Sequence, residues 1–473
     1  MKTKPIPMNP KRIILSLVSA FFLVALTAAT IDLNNLFNYY GLPIPNYINK
    51  NNAPAPHPND NLRATLGRVL FYDARLSSNN SISCSSCHKQ AFGFSDTVLQ
   101  SVGHTGGLTG RHSMRLINMR FANETRFFWN ERANTLDDQT TQPIQDAIEM
   151  GFSGQNGQPG IDSLIRKLES IPEYPALFQL AFGSEDISEL YIQRALSTFL
   201  RSISSFDSKF DQGMAQAPSI NAPFPNFSTQ ENNGKALFLN APPAGAGCQG
   251  CHRGPEFDID PNSRNNNVIG VAGGQPGQLD IGNTRSPSLR DLVNPSGQLN
   301  GPMMHDGSKS SLMEVIDHYN LIVPIPGNTN LDPRLAGPQN QGQNLNLQVN
   351  DKTALIAFLR TLTGSAVYTA EQWSNPFDAN GDIDFIGLPL STNTSNALQW
   401  SVYPNPGTHW IQVELPQGLS ASLSLTDAAG RTLRSIGSSS AFLLNVQDLP
   451  AATYVLRVQD EQGKSWVKKW IKQ

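Results

Sequence analysis

All four cysteines of this 473-residue chain fall into two copies of one arrangement, Cys84-Ser85-Ser86-Cys87-His88 and Cys248-Gln249-Gly250-Cys251-His252. Two thiols three positions apart can add to the two vinyl groups of one porphyrin, and the adjoining histidine then serves as proximal iron ligand. C-x-x-C-H therefore reads as covalent attachment of c-type haem. Paired disulfides do not account for the spacing, although an exported protein would favour them. A redox C-x-x-C pair does not need the histidine twice, and a zinc ribbon leaves both histidines unexplained. The spacing predicts two covalently bound haems c on Cys84, Cys87, Cys248 and Cys251, with His88 and His252 on iron.

The two histidines are 164 residues apart, too far for one small cytochrome fold, so two haem domains must position them. Ile161, Leu164, Ile165 and Leu168 recur at i, i+3, i+4, i+7, and Ile192, Ala195, Leu196, Phe199 and Ile203 continue the helical spacing. Ser228 with Glu231 and Ser311 with Glu314 read as capping boxes. Residues 353–359 read as the closing helix of the second domain. Between these elements lie Gly/Pro/Asn-rich loops, notably 261–282 and 327–350, in a chain with 37 glycines and 33 prolines. The haem region is expected to be mainly α. Thirty-five Lys and Arg against 38 Asp and Glu give a net charge of −3, which excludes a polyanion-binding field and nucleic acid as a partner.

The ends follow different rules. Lys2, Lys4, Lys11 and Arg12 precede an apolar run from Ile13 to Leu26, shorter than the ~20 residues that span a bilayer, and Ala28, Ala29 and Thr30 offer a cleavage site. A signal peptide over 1–29 and an exported mature chain are expected. After a linker over 375–398 the pattern turns to period-2 alternation. Ile411, Val413 and Leu415, then Leu423 and Leu425, then Tyr454, Leu456 and Val458 predict a small all-β sandwich over 399–473, with Asp427-Ala428-Ala429-Gly430 as a turn.

The haem motifs, in order with Phe128-Trp129-Asn130-Glu131-Arg132-Ala133, Leu136-Asp137-Asp138-Gln139, Pro143-Ile144, Glu149-Met150, Pro287-Ser288-Leu289-Arg290 and Met304-His305-Asp306-Gly307, resemble the bacterial dihaem cytochrome c peroxidase family. That family includes MauG-type enzymes, and the match runs over roughly residues 55–370. The resemblance implies two cytochrome c-like haem domains, over 30–215 and 216–374. It implies an oxidoreductase with peroxide as acceptor, which reduces hydrogen peroxide at the N-terminal haem with electrons passed through the C-terminal one. A small cytochrome c or another redox protein would be the donor, and family members often form homodimers. Residue by residue, it makes Glu149 the acid/base and Gln139 the hydrogen-bonding partner over the peroxidatic haem. Trp129 becomes the aromatic between the haems.

His104, in a glycine-flanked loop sixteen residues after His88, matches the removable sixth ligand of the peroxidase branch. The alternative is a plain loop histidine and a haem open at rest, as in the MauG branch. Fourteen residues after His305, where the peroxidase branch has methionine, stands Tyr319, as in MauG-type proteins. Leu312, Val315, Ile316 and Tyr319 share one helical face. His318, Met303, Met304 and Met313 are the alternatives to Tyr319 on iron. Some members hold calcium between the domains. Here His112 stands at the asparagine position and Asn300 and Pro302 match only carbonyl donors, and imidazole is a poor ligand for a hard cation.

Tyr403-Pro404-Asn405-Pro406, the Gly430 turn and the basic end Lys468-Lys469-Trp470-Ile471-Lys472 resemble the C-terminal sorting domain of type IX secretion. The implied partner is the outer-membrane secretion machinery, with a periplasmic or cell-surface destination. Two rival functions stay open. One is a MauG-like peroxide-dependent oxidase of a protein or small aromatic substrate, and the other is a non-catalytic dihaem electron carrier.

Overall fold

The apolar periodicities of the haem-motif region become helices in the computed structural model, which describes residues 30–275, 277–388, 400–416, 418–427, 431–460 and 465–473. The expected signal peptide over 1–29, residues 389–398 of the expected linker, the Gln399 boundary and the Gly430 turn lie outside the described residues. The chain divides into two compact units, 1–388 and 389–473.

In the first unit the helices run α1 Asp60–Tyr72, α2 Cys84–Cys87, α3 Leu136–Thr141, α4 Ile161–Glu169, α5 Glu173–Phe182, α6 Glu189–Ser202, α7 Lys209–Met214, α8 Thr229–Leu239, α9 Leu312–Asn320 and α10 Val349–Arg360. The short strands β1 Thr30–Asp32, β2 His252–Arg253, β3 Asp258–Ile259 and β4 Asp384–Ile386 complete it. The periodicity over 161–205 thus resolves into α4, α5 and α6, whose Ile192, Ala195, Leu196 and Phe199 are buried. Ser228 and Glu231 cap α8 reciprocally, and the Ser311 hydroxyl accepts from the Glu314 amide at the start of α9. Each such cap satisfies amides that the first helical turn leaves without partners.

Two cores form, each on a pair of crossing helices. In one, α1 lies on α6 so closely that a Cβ at Gly67 would stand 2.0 Å from the Ala195 carbonyl oxygen. In the other, α8 lies on α10, and a Cβ at Gly234 would stand 1.9 Å from the Ala354 carbonyl oxygen. Glycine at each crossing lets backbone meet backbone, and a haem motif follows each crossing glycine by 14 to 17 residues. The first core gathers Leu70, Phe71, Phe94 and Phe199, and the second interlocks Phe210, Phe224, Phe238, Phe257 and Phe358. After α10 the chain returns to the first core through Val367, Tyr368 and Trp373, and β4 pairs in parallel with β1. Helix of all kinds makes up 26% and strand 16% of the described residues, so the expectation of a mainly α protein is too strong. Long irregular segments, rich in Gly, Asn and Pro, carry much of the chain around the haem motifs.

The second unit is all β. Strands β5 Ser401–Tyr403, β6 Trp410–Glu414 and β9 Ala441–Asn445 form one antiparallel sheet. The other has β7 Ala421–Thr426, β8 Thr432–Ser439, β10 Thr453–Asp460 and β11 Ser465–Ile471 in the order β11-β10-β7-β8. Ile411 and Val413 of one sheet share a core with Leu423, Leu425, Leu456, Val458 and Trp470 of the other, the inward face that the alternation predicts. The Trp470 indole donates to the Pro404 carbonyl (2.8 Å) and the Ile471 amide to the Asn405 side chain (3.0 Å), so the Tyr-Pro-Asn-Pro segment clasps the basic final strand.

Candidate active site

The first haem motif opens on α2, whose start is capped reciprocally by Ser83 and Ser86. His88 follows. Its Nδ1 lies 3.0 Å from the Phe94 carbonyl oxygen. A carbonyl only accepts, so Nδ1 carries the proton and Nε2 keeps its lone pair for a metal. The turn that aims this carbonyl uses left-handed backbone at Gly93 and Phe94 (φ 63° and 58°). Burial also disfavours the imidazolium form of His88. Cys84, Cys87 and His88 line a cavity of about 520 Å³ together with Gln139, Pro143 and Glu149. None of the four cysteines is in a disulfide.

Gln139 sits on α3, which Thr135 caps through the Asp138 amide. Its Oε1 is buried without a hydrogen-bond partner. Glu149 ends a turn in which the Asp146 carboxylate accepts from the amides of Ile148 (2.8 Å) and Glu149 (2.9 Å). Burial, reinforced by Asp146 and opposed by Arg132, pushes the Glu149 carboxyl up to about 7. A group that titrates near neutrality can both take and return a proton.

His104 is placed differently. It does not line the cavity. Its amide donates to the Glu149 carbonyl (2.9 Å), and its Nδ1 lies 3.2 Å from the Ile148 carbonyl oxygen. The ring lies so near Gly151 that a Cβ there would stand 2.4 Å from Nε2. In this conformation His104 steadies the segment that carries Glu149.

The second motif lines a cavity of about 410 Å³ through Cys248, Cys251 and His252. The His252 Nδ1 has no hydrogen-bond partner, in contrast with His88. Tyr319, on α9, lines the same cavity and receives a hydrogen bond from Asn266 Nδ2 at 2.8 Å. Burial pushes its phenol up to about 12. Met303 and Met304 also face this cavity, whereas Met313 and His318 do not line it, and the His318 ring bonds the Asn266 carbonyl (2.8 Å).

Trp129 lines both cavities. Its indole donates to the His112 carbonyl (2.8 Å), its own carbonyl accepts from the amides of Thr284 (2.9 Å) and Arg285 (3.1 Å), and its ring meets His305 edge-on at 6.2 Å. Glu131 extends the clasp with an ion pair to Arg285 at 3.1 Å. Sequence reasoning did not find Glu131, Arg285 or Arg115, because their partners lie far along the chain. His112 holds its loop by Nδ1 to the Val98 carbonyl (3.0 Å) and Nε2 to Ser95 Oγ (3.3 Å). The imidazole stands against the 300–302 turn, where a Cβ at Gly301 would lie 3.0 Å from its Nε2. Among the described residues no group of three or more His, Cys, Asp or Glu is placed to hold a metal.

Two cavities, each lined by two cysteines and the histidine of one C-x-x-C-H motif, fit haem c. The partnerless Gln139 Oε1, in the first cavity, is a polar atom that a ligand on such a group would face. The family model described as di-haem cytochrome c peroxidase matches residues 61–219, and that of the secretion system C-terminal sorting domain matches 401–473. The methylamine utilization protein MauG of Methylorubrum extorquens is 32% identical over 284 residues, covering 56% of this chain and 71% of that protein.

The chain belongs to the dihaem cytochrome c peroxidase family. Within it, the cytochrome-c peroxidase IdrP1 of Pseudomonas sp. strain SCT is 28% identical, covering 76% of this chain and 94% of that one. The crystal structure of a MauG-like protein associated with microbial copper homeostasis superposes with a TM-score of 0.56 at 29% identity, over 71% of this chain and 99% of that one. As a family member with a sorting domain, the protein is an exported haem-dependent peroxidase.

Proposed function

We propose that the protein reduces hydrogen peroxide to two waters at the first cavity, consuming two protons and two electrons drawn from an external redox protein through the second. Each cavity would hold one haem c, on Cys84, Cys87 and His88 and on Cys248, Cys251 and His252. When bound, the haem supplies the iron that receives peroxide and the electrons that cleave its O–O bond. The chain supplies the rest. Glu149 takes the proton from the oxygen that binds and returns it to the oxygen that leaves as water. Gln139, with its free Oε1, orients peroxide by hydrogen bonding. Trp129, common to both cavities, gives electrons an aromatic route between them.

The observation that carries this reading is Glu149, a half-buried carboxyl that its surroundings push up to about 7, lining one cavity with Gln139 and the first haem motif. Steady-state peroxide reduction by wild type and Glu149→Gln tests it. Loss of turnover with both haems loaded supports the role, and retained turnover refutes it.

A second reading, a MauG-like oxidase of a protein or aromatic substrate, is favoured by Tyr319 facing the second cavity and by His104 lying outside the first. A tyrosinate donor stabilises ferric and higher states of iron. Peroxide consumption that requires an organic substrate, and not a redox protein, distinguishes it. The secretion machinery of the outer membrane would be the partner of the sorting domain.

A further inference from the structure

Arg115 is the only lysine or arginine among the described residues that lines both cavities. Arg111, Arg285 and Arg334 each line one of them and end on a carboxylate, Asp280 at 2.6 Å, Glu131 at 3.1 Å and Asp332 at 2.7 Å, whereas Arg132 and Arg264, without an ion pair among the described residues, each line one cavity only. Arg115 has no carboxylate within ion-pair distance among the described residues. Its one hydrogen bond runs from Nη2 to the Ser288 carbonyl (3.0 Å), and its Nε is buried without a partner. The opposite charge it senses comes from Asp291, since burial keeps the Tyr368 phenol protonated. Asp291 is itself engaged with the Gly364 amide (2.9 Å) and the Tyr368 hydroxyl (3.2 Å). Burial lowers the guanidinium only to about 10, so it is charged at neutral pH. A buried cation without an anion is strongly unfavourable, and five fixed N–H donors are the geometry that pairs with carboxylates.

We propose that Arg115 is a single counter-ion shared by the carboxylate side groups of the two haems, so that one cation sets the reduction potentials of both. The inference rests on the reading that each cavity holds one haem c, whose porphyrin carries two propionates. Removing a positive charge beside a redox centre stabilises its oxidised, more positive state, so both potentials must fall when Arg115 is neutralised. Lysine, which keeps the charge, must restore them.

The test is a spectroelectrochemical titration of the haem-loaded full chain, comparing wild type, Arg115→Gln and Arg115→Lys. In Arg115→Gln each haem is expected to become harder to reduce by about tenfold or more in its one-electron equilibrium constant, about 59 mV, while Arg115→Lys stays within about threefold of wild type. Should the glutamine variant fail to take up haem, Arg115→Met, apolar and of similar reach, carries the same expectation. A shift confined to one haem, or none in a protein with both haems loaded, overturns the proposal. A wild type with fewer than two haem transitions overturns the two-haem reading, and the shared counter-ion with it.

Discussion

The Trp129 indole donates to the His112 carbonyl oxygen at 2.8 Å, and His112 in turn donates its amide to the His305 carbonyl at 2.8 Å. His305 is the residue whose ring meets Trp129 edge-on. A tryptophan on the common wall of two cavities is therefore held from both sides. Trp129→Phe keeps the apolar ring but loses the indole donor, a change of about 1 kcal/mol in a typical hydrogen bond. We expect normal absorbance from both haems and at least about a tenfold slower electron transfer between them, the tenfold corresponding to ~1.4 kcal/mol in the barrier. Flash or stopped-flow reduction of the second haem, followed at the first, measures it.

Glu149 carries a pH signature. Its carboxyl is raised from the usual carboxylate range to about 7 by burial and by Asp146. As the base that takes the peroxide proton it must be ionised, so the second-order rate with peroxide is expected to rise with pH through about 7. Glu149→Gln should remove that limb and slow peroxide cleavage by about 100-fold or more. A pH–rate profile of the two proteins decides.

Tyr319 faces the second cavity on a helix whose buried residues, Leu312 and Ile316, belong to the second core. Tyr319→Phe is expected to change the spectrum of one haem and leave the other intact. Electron paramagnetic resonance of the ferric protein resolves the two, and an unchanged pair of signals would assign the sixth position to Met303 or Met304.

Gly67 tests the fold. A methyl group there meets the Ala195 carbonyl at 2.0 Å, a backbone atom that cannot turn aside. Gly67→Ala is expected to lose about 1–3 kcal/mol as α1 and α6 are forced apart. A lowered thermal midpoint would register it, while the equivalent change at exposed, open Gly437 should be within about 0.5 kcal/mol of wild type.

Features that depend on local spacing were legible in the sequence. The two haem motifs, the caps at Ser228 and Ser311, the periodic helices of 161–202 and the period-2 strands each arise from interactions a few residues apart. Gln139, Glu149 and Trp129 became visible as a set only through the order of family motifs, and in the structure all three line the first cavity. What stayed hidden depends on distant contacts. Glu131 reaches Arg285 from irregular chain with left-handed backbone at Phe128 (φ 72°) and Glu131 (φ 59°), and Arg115 lines both cavities. Nothing in the neighbouring residues of either arginine announces that. The close helix crossings at Gly67 and Gly234 were equally hidden, since a single glycine inside a helix has many uses.

The most direct test of the central claim is stopped-flow absorbance of the fully ferric, haem-loaded protein mixed with hydrogen peroxide, repeated after one-electron reduction. With His104 outside the first cavity and Glu149 and Gln139 lining it, a rapid change at the N-terminal haem is expected in the ferric state. Silence in both states would contradict a peroxidase and leave an electron carrier.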